Sequence, residues 1–120
     1  IRPGSRTADR VEIGNFAEVS RSNISQDVIM KHFSFLGDAT VGSKTNIGAG
    51  TITANYDGVN KNKTTIGKEA FIGSDSILIA PINIGDKALI GAGSVVTKNT
   101  KVPAHAIARG VPAKVYVRHR

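Results

Sequence analysis

Seven branched apolar residues, Ile66, Ile72, Leu78, Ile84, Ile90, Val96 and Val102, follow one another at intervals of six without a slip. Upstream the same interval joins Phe35, Val41 and Ile47, and once more Ile13 and Val19. Glycine comes directly after the apolar residue at Val41, Ile47, Ile66, Ile72, Ile84 and Ile90. An amphipathic helix returns its stripe every three or four residues and a half-buried strand every two, so neither produces this beat. A fixed longer period is the signature of a repeat architecture.

Physically, each hexapeptide supplies one short strand and one corner, and three of them close a triangular coil of about 18 residues, as in hexapeptide-repeat parallel β-helices. The branched residue points into the shaft and stacks on its equivalents in the coils above and below. Glycine at the next position fits a backbone that turns tightly or needs positive φ. At that coil size the chain makes roughly five or six coils. The expected fold is therefore all-β, a parallel β-helix over residues 1–104 followed by a short C-terminal segment, 105–120. Between Ser20 and Met30 the phase slips and no firm register follows. The beat breaks once more, after Asn46-Ile47-Gly48-Ala49-Gly50-Thr51-Ile52-Thr53, with a polar stretch that carries Asn55, Tyr56, Asp57 and Lys61 before Ile66 resumes it. This predicts a loop extruded over about 54–65, and a single polar excursion from a regular scaffold is where function concentrates.

Composition suits a narrow shaft: 40% of residues are apolar and only 5% aromatic. With no cysteine there is no disulfide and no thiolate chemistry. No apolar run approaches the 18 or more residues of a membrane span and no signal peptide precedes the repeats, so the expectation is a cytoplasmic protein without a membrane partner. Because the sequence opens on Ile1, already inside patterned residues, a longer parent chain is expected. The formal charge of +7 raises nucleic acid as a partner. Lys and Arg are dispersed, however, aromatics are few and no nucleic-acid motif is present, so none is expected. Positive charge facing small phosphorylated ligands explains the same balance, and for the clearly basic stretch, Lys98 to Arg120, the plainer alternative is a solvated tail.

Arg2-Pro3-Gly4, Ile13-Gly14-Asn15-Phe16-Ala17-Glu18-Val19, His32 with Leu36-Gly37-Asp38, and above all Asn46 through Lys61 carry a specific resemblance. Up to about Thr97 the chain resembles the C-terminal acetyltransferase domain of the bacterial bifunctional N-acetylglucosamine-1-phosphate uridyltransferase/glucosamine-1-phosphate acetyltransferase. The resemblance implies a left-handed helix, a handedness that spacing alone does not give, and a homotrimer with sites between subunits. It implies transfer of acetyl from acetyl-CoA to the amine of glucosamine 1-phosphate or a related amino sugar, with no metal. His32 would then be the general base, a role suited to an imidazole that is neutral near working pH. Glu18 would orient it, and main-chain N–H groups around Ala49 would receive the oxyanion. Asn46, Asn55 and Tyr56 would hydrogen-bond the sugar, and Arg2 and Lys61 would hold its phosphate. Ser74, Ala92 and Arg109 would lie beside CoA. Each residue also has a plainer reading: Asn55-Tyr56-Asp57-Gly58 suits a tight turn, and Lys61 beside Lys63 suits a solvated surface.

The chain departs from the family in three places. Ala108-Arg109-Gly110-Val111-Pro112-Ala113-Lys114-Val115 is similar instead to the end of shorter hexapeptide acetyltransferases, which also use acetyl-CoA. Ser20 stands where the family has a lysine, and Phe35 where it has a tyrosine, so the expected acceptor site lacks one cation and one hydroxyl. Arg21 and Lys31 are the nearest replacements for the charge, although adjacent strand residues point to opposite faces. The uridyltransferase half has no counterpart in these residues. Two other readings compete with an acetyltransferase. A non-catalytic trimerisation stalk needs only the Ile and Gly beat, which leaves His32, Glu18 and the loop without a purpose. A γ-type carbonic anhydrase needs three histidines converging on zinc, and only His32 lies in the coils, His105 and His119 falling in the C-terminal segment.

Overall fold

The computed structural model describes residues 1–117; His119 and the end of the basic stretch lie outside them. Among the described residues there is no helix, and therefore none long and apolar enough to cross a membrane. The chain winds as a left-handed parallel β-helix of hexapeptide repeats with three sheets. Arg6–Thr7, Asn23–Ile24, Ala39–Val41, Thr64–Ile66, Ile82–Ile84 and Lys101–Val102 form the first sheet. Glu12–Ile13, Ile29–Met30, Asn46–Ile47, Phe71–Ile72, Leu89–Ile90 and Ile107–Gly110 form the second, and Ala113–Tyr116 folds back antiparallel at its edge. Ala17–Ser20, Ser34–Gly37, Ile52–Ala54, Ile77–Ile79 and Val95–Val96 form the third.

The shaft is filled as the six-residue beat requires. Val19, Leu36, Thr53, Leu78 and Val96 stack inward on the third sheet; Ile24, Val41, Ile66, Ile84 and Val102 on the first; Met30, Ile47, Ile72, Ile90 and Ala108 on the second. Burying each Ile, Leu or Val side chain contributes roughly 1.5–3 kcal/mol. One expected member of the beat is replaced: Leu36, not Phe35, occupies the shaft, and Phe35 faces outward between Glu18 and Ile52. The cause is a short corner. From Val19 to Ile24 and from Leu36 to Val41 the step from third to first sheet takes five residues rather than six, which also explains the phase slip after Ser20.

The glycines after the shaft residues answer to crowding rather than to positive φ. A Cβ on Gly48 would stand 2.6 Å from the Ser74 nitrogen, and one on Gly73 would stand 2.5 Å from that of Ala92, because the next coil passes directly over the corner. Left-handed backbone is carried instead by other corner residues, among them Arg10, Asp27, Lys44, Glu69 and Lys87, with φ between 55° and 59°.

Candidate active site

The corner between the third and first sheets, five residues long in the first two coils and opened into the loop in the third, holds three residues in file, one per coil: Arg21, Asp38 and Asn55. Arg21 and Asp38 both adopt left-handed φ, 47° and 52°, which turns their side chains along the helix axis. Arg21 Nε and Nη2 donate to the two Asp38 carboxylate oxygens at 2.8 and 3.1 Å, and Asn55 Nδ2 donates to Asp38 Oδ2 at 2.7 Å. These contacts, Arg21's first, hold the Asp38 carboxyl below the usual carboxylate range against the opposing effect of its burial. Arg21 Nη1 also donates to Ser20 Oγ at 2.9 Å.

The third coil extrudes its loop from the same corner. The excursion is slightly tighter than expected, because Ile52–Ala54 and Thr64–Ile66 both belong to sheets. Tyr56 pairs antiparallel with Lys61, and Asn62 N donates to Asn55 O at 2.6 Å. Asp57 Oδ1 accepts from the Val59 and Asn60 N–H groups at 2.8 and 2.7 Å, closing the tip around Gly58. The Tyr56 hydroxyl donates to Gly58 O at 2.9 Å.

Loop, corner and chain start enclose a cavity of about 570 Å³ lined by Arg2, Pro3, Glu18, Ser20, Arg21, Phe35, Asn55, Tyr56 and Lys61. Five of the sequence-predicted residues therefore meet there: Arg2, Glu18, Asn55, Tyr56 and Lys61. Arg2 Nε lies 3.4 Å from Glu18 Oε2, so Glu18 has a partner inside the cavity, and no hydrogen bond joins it to His32 among the described residues. Asn46 lies elsewhere, on the outer face of the second sheet beside Phe71 and Ile29.

His32, Ala49, Ser74 and Ala92 form a second file, at the corner between the second and third sheets. Each stands two residues after a shaft residue, Met30, Ile47, Ile72 and Ile90, in successive coils. The file is tied by Gly50 N to Phe33 O, Asp75 N to Ala49 O and Gly93 N to Ser74 O, at 2.6, 2.7 and 2.8 Å. Arg109 lies on the next strand of the second sheet, level with Gly91 rather than with Ala92, and its guanidinium is 5.0 Å from the centre of the Tyr116 ring. The third sheet thus has the histidine file along one edge and the cavity along the other. Among the described residues no His, Cys, Asp and Glu cluster that could hold a metal is present.

Sequence reasoning missed Asp38 and left Arg21 undecided. The signal available was the interval of 17 between Arg21, Asp38 and Asn55, one short coil each. The objection that neighbours on a strand face opposite ways fails for Ser20 and Arg21, because the strand ends at Ser20 and Arg21 turns the corner.

Fold and repeat place the chain among hexapeptide-repeat β-helix proteins, and a model of the hexapeptide repeat of succinyl-transferase matches residues 63–98. More particularly, the chain resembles the C-terminal acetyltransferase domain of the bifunctional protein GlmU: it is 56% identical to GlmU of Cellvibrio japonicus over 110 residues, 92% of this chain and 24% of that protein. It is 57% identical to GlmU of Acinetobacter baumannii over 99 residues, 82% of this chain and 22% of that protein. The chain spans about a quarter of the length of the curated relatives it matches. Among solved structures, PerB of Caulobacter crescentus in complex with CoA and GDP-perosamine superposes with a TM-score of 0.83 at 23% identity, over 97% of this chain and 53% of that one. The acetyltransferase domain of PglB from Neisseria gonorrhoeae in complex with acetyl coenzyme A gives 0.73 at 23% identity, over 93% and 54%. At that identity the likeness is one of fold.

Proposed function

We propose that the chain transfers acetyl from acetyl-CoA to the amine of an amino sugar, glucosamine 1-phosphate in the first instance, as a homotrimer. The observation that carries this reading is the pairing, on the two edges of one sheet, of a polar cation-lined cavity with a file containing His32. PerB and PglB, which share the fold, bind CoA or acetyl-CoA, and PerB binds an amino-sugar nucleotide.

In this reading the acceptor lies across the outer face of the third sheet, its phosphate among the cations of the cavity and its amine toward His32. The amine nitrogen attacks the thioester carbonyl, the C–N bond forms, and His32 takes the proton that the nitrogen loses. Main-chain N–H at Ala49 receives the negative charge that develops on the carbonyl oxygen. As the C–S bond breaks, the CoA sulfur leaves with the proton that the imidazolium returns. Ser74 and Ala92 continue the His32 file away from the cavity, a track on which an extended CoA fits, and Arg109, on the next strand beside it, supplies a planar cation for one of its phosphates. No step requires a metal.

Two further points support the trimer. The outer face of the third sheet is apolar along Phe35, Ile52, Ile77 and Val95, and Phe16 is 93% exposed. A second copy over that face would dry the space between cavity and His32 and strengthen every polar contact inside it. A stalk without activity has no use for the Arg21–Asp38–Asn55 file or for the cavity it supports.

Replacing His32 by Ala is expected to lower kcat by about 10² to 10⁴, the usual contribution of a positioned proton acceptor, while acetyl-CoA binding measured by calorimetry persists. Unchanged turnover would make His32 a structural residue and remove the mechanism.

A further inference from the structure

The cavity's wall contains a cation that the sequence resemblance does not assign. Arg2, Arg21 and Lys61 face it together with a single carboxylate, Glu18, and Asp38 sits behind Arg21. Of these cations Arg21 is the one with a built seat. A guanidinium has five N–H donors. Three of Arg21's are used, two by Asp38 and one by Ser20 Oγ, which leaves one on each terminal nitrogen. Asp38 has only 14% of its side chain exposed and is itself fixed by Asn55, which is 8% exposed. Ser20, 7% exposed, accepts from Arg21 and so keeps its own hydroxyl proton to donate.

This arrangement is pre-organised for an oxyanion. A planar fork whose remaining donors sit on adjacent nitrogens matches two oxygens of a phosphate, and a fork already held in place loses little side-chain freedom on binding. Arg21 has 42% of its own side chain exposed, but three hydrogen bonds hold its fork, whereas the Arg2 side chain, 64% exposed, is held by one ion pair at 3.4 Å to Glu18, and Lys61 is exposed. Three cations against Glu18 and Asp38 leave the corner with a surplus positive charge for the ligand to neutralise.

We propose that Arg21, seated by Asp38 and Asn55 and coupled to Ser20, is the residue by which the cavity selects acceptors that carry a phosphate monoester. The proposal rests on the acetyl-transfer reading for its substrate class, not for the anion contact itself. It also accounts for the two departures at this site: the charge supplied in the family from the position of Ser20 comes here from the next residue around the corner, and Ser20 becomes that residue's partner. Phe35 then offers an apolar wall to the sugar rather than a hydroxyl to the phosphate.

Calorimetric titration of the purified protein with glucosamine 1-phosphate, in the absence of acetyl-CoA, reads this contact directly. A charge-assisted hydrogen bond to phosphate corresponds to roughly ten- to a hundredfold in affinity. Arg21→Gln is expected to weaken binding by that factor, Arg21→Lys by less, and Asp38→Asn by an intermediate amount because the cation remains while its seat is lost. In turnover the change should fall on the acceptor KM rather than on kcat, and unphosphorylated glucosamine should be affected several-fold less. Equal losses for the two acceptors, or unchanged glucosamine 1-phosphate affinity in Arg21→Gln, would overturn the proposal. Should Arg21→Gln fail to fold, Arg21→Lys decides by the same comparison. A wild-type protein that binds the phosphate through Arg21 but transfers no acetyl would sink the acetyl-transfer reading and leave this one standing.

Discussion

Asp38 shows how one residue links site and stability. Its carboxyl is held low chiefly by the Arg21 hydrogen bonds, and Asp27 is held low in the same way by Arg10, whose Nε lies 2.6 Å from its Oδ1. Asp57 is lowered by the N–H groups of Asn60 and Val59. A carboxylate with a depressed folded-state pKa contributes stability that is fully present above its unfolded value, about 3.9, and that is lost as pH falls through the lower folded value. The Tm should therefore hold near neutrality and drop as pH is taken below about 4. Asp38→Asn, which cannot titrate, should have a lower Tm at pH 7 and a shallower fall as pH is taken below about 4. Parallel curves for the two proteins would show that the Arg21 contact contributes nothing to the acid response. The same paired logic runs along the corner between the first and second sheets, where Arg10, Asp27, Lys44, Glu69 and Lys87 alternate in sign from coil to coil and Lys87 Nζ stands 3.7 Å from Glu69 Oε2.

The third sheet is the element on which the functional reading turns. Its inner side is shaft, Val19, Leu36, Thr53, Leu78 and Val96, and its outer side is Glu18, Phe35, Ile52, Ile77 and Val95. The outer side of the first sheet, by contrast, carries Asn23, Thr40, Thr65, Asn83 and Lys101, a polar row that suits water. An apolar parallel face without a cover is the kind of surface a closed oligomer buries, and a triangular prism with such a face suits threefold symmetry. Light scattering at micromolar concentration should give three times the chain mass, and Ile52→Lys, on the outer face away from the shaft, should shift it to the monomer with loss of turnover. A wild-type monomer would leave the acceptor face open to water and remove the closed site. Much of this element was legible in the sequence, because the shaft residues announce themselves by period. What the period hid was the side of Phe35: counting back by six from Val41 assigns it to the shaft, whereas the five-residue corner puts Leu36 there.

At the scale of the whole molecule, the β-helix acts as a ruler whose rungs bring distant residues into files. The helix and the loop followed from the six-residue beat and its single break, and Arg2, Glu18, Asn55, Tyr56 and Lys61 gather where the loop leaves the shaft. The Arg21–Asp38–Asn55 file was hidden because its interval belongs to the shortened coils, and left-handed backbone at Arg21 and Asp38 was not visible from residue type. That the glycines after the shaft residues serve close passage between coils, while residues such as Arg10, Asp27, Lys44, Glu69 and Lys87 take left-handed corners, likewise emerges only in three dimensions. The central claim is that these files, joined across one sheet, acetylate the free amine of a phosphorylated amino sugar. Its most direct test is to incubate the purified protein with acetyl-CoA and glucosamine 1-phosphate and to measure released CoA thiol together with the mass of the sugar product. The account predicts one N-acetylated sugar phosphate for each thiol released, and markedly slower turnover with unphosphorylated glucosamine. No thiol release above the rate without acceptor, from protein that is trimeric and binds acetyl-CoA, would contradict it.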